Sequence, residues 1–212
     1  TQRVLDAATG ALVTTFTPGT VNLTVRDIQV GNAGVWIAGD FTQVGGVGRQ
    51  RVALVNAATG VLGSFSASIN DRVNSLTLDA SQSTVYLAGR FSKIANISRS
   101  GFVGLNTSTS AATTSALALT GEVTAVALDG AGGAFIGGTF VISPEKTMPR
   151  SLARVSLSSS AVSSVVPSMS LPLSLARPAK ESSGIKSLQV VGSSLMVAGD
   201  FSDYGTITRP YL

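Results

Sequence analysis

Apolar and small residues recur along the chain in one pattern: an apolar run, a small residue followed by Gly, a variable polar residue and then Phe. The first copy is VWIAGDF at residues 35–41, and three more follow as VYLAGRF, AFIGGTF and LMVAGDF at residues 85–91, 134–140 and 195–201. A strand that is apolar on both faces is typical of one packed between neighbouring sheets. The pattern therefore predicts a repeated, buried β-strand.

Within this strand the repeated residues have structural interpretations. The glycines predict a bulge or a close backbone approach near the strand end, and they are Gly39, Gly89, Gly138 and Gly199. The large side chains at two aligned positions predict core anchors, and they are Trp36, Tyr86, Phe135 and Met196, followed by Phe41, Phe91, Phe140 and Phe201. Burial of each should stabilise the fold by roughly 1.5–3 kcal/mol.

Three further strands accompany each copy. Residues 26–30, 74–78, 124–128 and 186–190 alternate polar and apolar residues, which predicts a strand with one buried face. Two more apolar runs flank a turn whose first residue recurs every 50 positions, as Asp6, Asn56, Asn106 and Ser156. These side chains can hydrogen-bond the backbone of their own turn. Gly10 and Gly60 become Ser110 and Ser160 in the later copies, which predicts wider or strained turns.

Four strands in each repeat of about 50 residues, with no helix signal, predict an all-β fold, and specifically a β-propeller of four-stranded antiparallel blades. The predicted units are a partial blade at 1–16, blades at about 24–65, 73–119 and 123–166, an incomplete blade at 185–212, and an inserted Pro- and Ser-rich loop at 167–184. The mid-repeat ends fit either a four-blade ring, in which residues 190–212 and 1–16 share a blade, or an excerpt of a larger ring. Because four blades is the small limit of the architecture, we expect an excerpt of a larger propeller.

Composition narrows the possible functions. Hydrophobic residues make up 44% and charged residues 12% of the 212 residues, and Cys and His are absent. The sequence therefore has no disulfide framework, no thiolate metal site and no histidine base. The net charge of +4 comes from dispersed basic residues, so we expect neither a nucleic-acid partner nor, without an apolar run of about 18 residues, membrane insertion.

Two stretches carry a resemblance to a known family: the motif VYLAGRF at residues 85–91, and Arg51 with ALVNAATG at residues 53–60 and a Phe shortly after. In both, the chain resembles the delta-sixty repeat family of bacterial β-propellers. The chain is more distantly similar to kelch-like repeats of fungal cortical markers. The resemblance covers nearly all of the chain and implies a secreted or surface-attached scaffold or adhesion module. It carries no shared catalytic residues. The insertion at 167–184 and the Ser-for-Gly turns depart from the family pattern.

The sequence offers residues for four kinds of chemistry. The Asp-Ala-Ala-Thr-Gly turn is similar to that of quinoprotein dehydrogenase propellers, but Phe16 and Phe65 stand near the position of the Trp in that motif, so no cofactor is expected. No calcium-binding loop of closely spaced Asp residues occurs, so no metal is expected. The acidic set Asp40, Asp200 and Asp203 offers the one candidate carboxylate pair for glycoside hydrolysis. Basic residues near the start of the third strand form a candidate ring for acidic glycans, namely Arg51, Arg99, Arg150 and Arg209, with a structural hydrogen bond or ion pair as the alternative.

The sequence thus favours a non-enzymatic structural or adhesion module of a secreted or cell-surface protein. Its expected partners are other domains of the same polypeptide or surface proteins, with glycans as a further possibility. The alternatives are a carbohydrate- or cation-binding propeller and, third, a hydrolase or lyase. Candidate ligand-binding residues lie where the strand-end sequence varies or just beyond it: Asp40, Arg90, Asp200 and Asp203. No catalytic residue is assigned.

Overall fold

Alternating and apolar runs form β-strands throughout the described part of the chain. The structure is a computed structural model that describes residues 4–113, 117–142, 150–159, 161–163, 184–200, 203–204 and 207–208. Within these ranges every regular element is a strand, which confirms the all-β prediction. In chain order the strands are β1 (Val25–Gly31), β2 (Gly34–Gly39), β3 (Gln43–Val44), β4 (Val47–Gly48), β5 (Val52–Val55), β6 (Val73–Leu78), β7 (Thr84–Gly89), β8 (Lys93–Ile94), β9 (Ile97–Ser98), β10 (Phe102–Asn106), β11 (Leu119–Leu128), β12 (Gly133–Ile142), β13 (Arg150–Ser156), β14 (Val162–Ser163), β15 (Ile185–Val191), β16 (Ser194–Gly199), β17 (Asp203–Tyr204) and β18 (Ile207–Thr208).

Four larger antiparallel sheets follow one another along the chain, and the two-stranded hairpins β3-β4, β8-β9 and β17-β18 follow the second strand of the first, second and fourth of them. Sheet I has the order β1-β2-β5, sheet II is β6-β7-β10, sheet III is β11-β12-β13-β14 and sheet IV is β15-β16. After sheets I and II the chain turns back and touches the last strand at a single bridge, Val55 with Leu62 and Leu105 with Ala112. Among the described residues, the predicted four-stranded sheet is therefore complete only in sheet III.

The turns that return the chain are stabilised by their own first residue. The Oδ1 atom of Asn56 accepts hydrogen bonds from the backbone N–H groups of Ala58 and Thr59, both at 2.9 Å. Asp6 and Asn106 make the same bonds one repeat earlier and one repeat later. At the predicted strained turn, Ser110 has φ +60° where Gly10 and Gly60 have +70° and +76°.

Consecutive sheets pack face to face, so the strand that is apolar on both faces lies between two layers. One cluster joins sheets I and II through Trp36 and Leu76, and Phe65 packs edge-to-face on Trp36 with ring centroids 4.7 Å apart. A second cluster joins sheets II and III, and a third joins sheets III and IV. The described residues form a row of four sheets and show no closed ring.

Most of the predicted core anchors are buried. Phe41, Phe91 and Phe140 are buried, as is Trp36, whereas Tyr86 and Phe135 are half-buried. Met196 is an exception, because no described sheet covers that face of sheet IV, and its side chain is exposed. Phe201 and the predicted insertion at 167–184, except for its last residue Gly184, lie outside the described residues. Leu119, predicted to end the blade at 73–119, begins β11 of sheet III.

Candidate functional site at the strand ends

Each of the four sheets contains the same irregularity where its first two strands diverge. Strand pairing shifts by one residue between Val25 and Asp27 in sheet I, and at the equivalent place in the other sheets. The extra residue of each bulge is unpaired in the ladder, and these residues are Arg26, Asn74, Thr124 and Lys186. We refer to them as the bulge residues.

The recurring Gly is required by this bulge. A Cβ atom on Gly39 would lie 2.1 Å from the carbonyl oxygen of Thr24, and on Gly89 it would lie 2.2 Å from that of Arg72. A Cβ atom on Gly138 or Gly199 would lie 2.3 or 2.4 Å from the equivalent carbonyl oxygen. Because no side chain fits there, Gly is the residue that lets the two backbones approach.

The residue after each Gly is the variable one, and its backbone is held by the bulge. The N–H of Asp40 donates to Thr24 O at 2.8 Å, that of Arg90 to Arg72 O at 3.1 Å and that of Asp200 to Gly184 O at 3.0 Å. In sheet III the ladder continues instead, and Thr139 pairs with Glu122. These four strand-end positions therefore have fixed backbones, and only their side chains differ.

Asp40, one of the candidate ligand-binding residues, is already paired within its own sheet. The Arg26 guanidinium donates from Nε to Oδ1 at 3.0 Å and from Nη2 to Oδ2 at 2.9 Å. This hydrogen bonding to Asp40 raises the pKa of Arg26. The two-pronged geometry matches the planar guanidinium to the planar carboxylate, so the Asp40 oxygens are occupied by the protein itself.

Arg90 and Asp200 are also in ion pairs, which are longer and more exposed. Arg90 Nε lies 3.2 Å from Asp71 Oδ2, and Lys186 Nζ lies 3.7 Å from Asp200 Oδ2. Solvated pairs of this kind contribute roughly 0–1 kcal/mol each. The strand ends thus place one basic and one acidic side chain together in three of the four sheets.

Glu122 links sheet II to sheet III at the same level. Its Oε1 lies 3.2 Å from Arg72 Nε and accepts a hydrogen bond of 2.8 Å from Asn74 Nδ2. Asn74 also donates to the Val123 carbonyl at 3.0 Å, and Thr124 donates in the same way to the Ile185 carbonyl in sheet IV. Two bulge residues therefore tie their own sheet to the next one.

Sequence reasoning missed the partners of the variable residues, although the repeats contain a signal for two of them. Where the strand-end residue is Asp, at positions 40 and 200, the bulge residue is basic, Arg26 or Lys186. Where the strand-end residue is Arg90, the bulge residue is the neutral Asn74. The partner of Arg90, Asp71, has no such counterpart in the other copies.

The predicted arginine ring is not formed by one repeated position. Arg51 corresponds to Gly101, because both have φ +71° and both donate their N–H to the preceding strand-end Phe carbonyl. Arg99 instead corresponds to Arg49, since each donates from Nη1 to the carbonyl of the residue before it at 2.8 Å. The Arg51 guanidinium donates to the Asp40 carbonyl, which is the structural hydrogen bond that we gave as the alternative to glycan binding. Arg209 lies outside the described residues, as does the side chain of Arg150.

The acidic candidates lie in different parts of the row. Asp40 follows β2 of sheet I and Asp200 follows β16 of sheet IV, while Asp203 begins β17 and its side chain is outside the described set. Among the described residues, no three acidic side chains are grouped so that they could hold a metal ion. In the same ranges no helix is long and apolar enough to cross a membrane.

No protein-family model matches the chain, and no curated protein matches its sequence. The resemblance to delta-sixty repeats therefore stays a prediction that rests on the repeated motif.

Proposed function

We propose that the chain is a set of β-propeller blades that acts as a non-enzymatic structural or adhesion module. The propeller arrangement is supported by four sheets with the same bulge, stacked in chain order with apolar clusters between them. Radial stacking of such sheets is what gives a propeller its core.

One observation supports a structural role above a ligand-binding one: the charged strand-end side chains are paired with other residues of the chain. Asp40 is held by Arg26, Arg90 by Asp71 and Asp200 by Lys186. A ligand at these positions would first have to displace a protein partner. The charged variable residues thus form ion pairs at the strand ends.

The proposed setting is extracellular or at a cell surface, with other domains of the same polypeptide or other surface proteins as partners. This part of the proposal is supported by the repeat itself, which resembles a family of secreted and surface-attached propeller repeats. Loss of the protein should then alter surface architecture or attachment.

The direct test measures ligand binding by thermal unfolding of the purified chain, with calcium and with a panel of neutral and acidic oligosaccharides. A ligand at 100 times its Kd stabilises a protein by about 2.7 kcal/mol. We expect no shift in Tm with any of them. Asp40→Asn should lower Tm without any ligand, because it weakens the pair with Arg26.

A ligand-dependent rise in Tm that disappears in Asp40→Asn or Asp200→Asn would replace the structural proposal by the carbohydrate- or cation-binding alternative. Ser108→Asn is a suitable control, since Ser108 is an exposed turn residue away from the strand ends.

A further inference from the structure

The two ends of the row present apolar side chains that have no cover among the described residues. In each sheet we call the surface turned toward the preceding sheet the leading face and the opposite surface the trailing face. On the leading face of sheet I, Ile28 and Val30 of β1 are 57% and 68% exposed. On the trailing face of sheet IV, Met196 is 61% and Val191 54% exposed.

The repeat supplies an internal control for the leading face. In each sheet the residue two positions after the bulge residue pairs with the second strand. This residue is Ile28 in sheet I, and it is Leu76, Val126 and Leu188 in sheets II, III and IV. These three residues are only 3%, 6% and 9% exposed. The same position is therefore buried wherever a sheet precedes it.

What covers that position is the same at each junction where a sheet precedes. Leu76 shares its cluster with Trp36, and Leu188 packs in a cluster with Phe135. Val126 packs in a cluster with Tyr86. Trp36, Tyr86 and Phe135 are the large residues at one position of the second strand, on the trailing face, and Met196 stands at this position in sheet IV.

A polar contact accompanies the apolar one at the first junction. The Asp27 carboxylate accepts from its own bulge through Oδ1, at 2.8 Å from Ile28 N, and from the next sheet through Oδ2, at 2.8 Å from Leu76 N. In sheet IV this position is Ser187, which is exposed and carries a hydroxyl that can accept a hydrogen bond. The trailing face of sheet IV thus presents an apolar side chain at the position of Trp36 and a hydroxyl group at the position of Asp27.

We propose that the leading face of sheet I binds the trailing face of sheet IV of a second copy of the chain. Two copies joined head to tail in this way at both ends form a closed ring of eight sheets. Eight blades lie within the range that propellers adopt, and closure by a two-fold axis is the commonest symmetry of oligomers. The inference rests on the proposed propeller arrangement. The second copy is favoured over closure within one chain because the chain's own sheet IV leaves Ile28 and Val30 exposed. In this arrangement the four sheets are half of the larger propeller, and the other half comes from the second copy rather than from further blades of the same polypeptide.

The test is sedimentation velocity on the full chain over a range of concentrations. The chain should sediment as a dimer, and Ile28→Lys or Met196→Glu should each weaken dimerisation by about tenfold or more, because a charge is buried at the junction. The double variant Ile28→Lys/Met196→Glu should regain much of the loss, since opposite charges then meet. Val61→Lys, at an exposed turn residue, serves as the control that leaves dimerisation unchanged.

A wild-type chain that stays monomeric at every concentration would overturn the inference, as would a dimer that both single variants leave intact. Open filaments or larger rings would overturn closure by two copies. Circular dichroism of each variant verifies folding, and both substituted side chains are exposed in the single chain. Any of these failures would leave the ligand titration of the proposed function unaffected, so that the two proposals fail separately.

Discussion

At the residue scale, all four strand-end glycines are fixed by steric contact, and in three of them a need for positive φ plays no part. Among them only Gly138, at +157°, has φ in the region that favours Gly. The others are excluded from carrying a side chain by a carbonyl oxygen of the neighbouring strand. This distinction allows a matched test between two glycines in strands.

Gly89→Ala should lower the free energy of unfolding by about 2–3 kcal/mol, because its Cβ would meet Arg72 O at 2.2 Å and the two strands would have to separate. Gly48→Ala is the control, since a Cβ there has nothing within 4 Å. Urea unfolding measures both changes. Equal and small effects at the two positions would show that the bulge does not hold the strands this closely.

A second residue-scale prediction concerns the hairpin that follows each strand-end Phe. Ala95 has φ +50° at the position where the first repeat has Gly45 at +59°. Ala95→Gly should raise the free energy of unfolding by about 0.5–1 kcal/mol, because relief of the left-handed conformation exceeds the added unfolded-state entropy. Gly45→Ala should lower it by a similar amount. Urea midpoints that move in the opposite directions would contradict this account.

The sequence predicts the backbone at these positions better than the side-chain partners. A Gly repeated at one place in an apolar strand indicates a close approach, and the structure has it at Gly39 and Gly89. The pair of Arg26 with Asp40 depends on a bulge that turns an otherwise alternating strand by one residue. Hydrophobic alternation carries no information on where such an extra residue is inserted, so the pattern does not identify Arg26 as the partner of Asp40.

At the element scale, the Asp129 carboxylate holds the turn between β11 and β12 by its hydrogen bonds. Its Oδ1 accepts from Ala131 N at 2.7 Å and Gly133 N at 2.8 Å, and its Oδ2 accepts from Arg154 Nε at 2.8 Å. Burial alone would raise the pKa of Asp129, but these hydrogen bonds and the Arg154 charge together lower it. The folded state therefore favours the ionised carboxylate.

This turn should make stability depend on pH. A pKa that is lower in the folded than in the unfolded state contributes stability above the unfolded value of about 3.9, and the contribution is lost as pH falls through the folded pKa. Asp129→Asn should cost about 1–3 kcal/mol at pH 7, and the difference from wild type should shrink on acidification toward pH 2. Urea unfolding at a series of pH values measures this.

Arg154→Gln is the matched control for that turn. It removes the ion pair but leaves the charged carboxylate that accepts from the two backbone N–H groups. Its cost at pH 7 should therefore be smaller than that of Asp129→Asn, which removes the charge and turns an amide donor toward the Arg154 guanidinium. A stability difference for Asp129→Asn that stays constant with pH would contradict the proposed ionised state.

At the scale of the whole molecule, the sheets are joined by polar contacts as well as by apolar clusters. The Asp27 carboxylate serves amides of two successive sheets, and Gln82 of sheet II accepts from Asn32 N of sheet I at 2.6 Å. These bonds fix the register between neighbouring sheets, which apolar packing alone does not specify.

Asp27→Ala should cost about 1–3 kcal/mol, because it leaves the part-buried amide of Leu76 without its acceptor. Asp27→Asn retains one acceptor oxygen and should lose less. Chemical denaturation measures both, and near-neutral effects in the two variants would show that the carboxylate is not needed at the junction.

The sequence indicates the stacking of the sheets but not the closure of a ring. A repeat of 50 residues with a strand apolar on both faces requires each sheet to pack on two others, as Trp36 and Leu76 do between sheets I and II. Closure depends on the small rotation between sheets and on what meets Ile28 and Met196. The hydrophobic pattern predicts neither the rotation nor the contact, because the positions of Ile28 and Met196 are apolar in end sheets and inner sheets alike.

The central claim is that hydrogen bonds within each sheet hold the strand ends in place and that these positions have a structural role. Amide hydrogen exchange at Asp40, Arg90 and Asp200 tests it most directly, since these N–H groups donate to Thr24, Arg72 and Gly184 carbonyls at 2.8, 3.1 and 3.0 Å. The account predicts exchange at least about a hundredfold slower than in an unstructured peptide at all three positions without any ligand. Exchange at the unstructured rate at these amides, with the strand centres still protected, would contradict it.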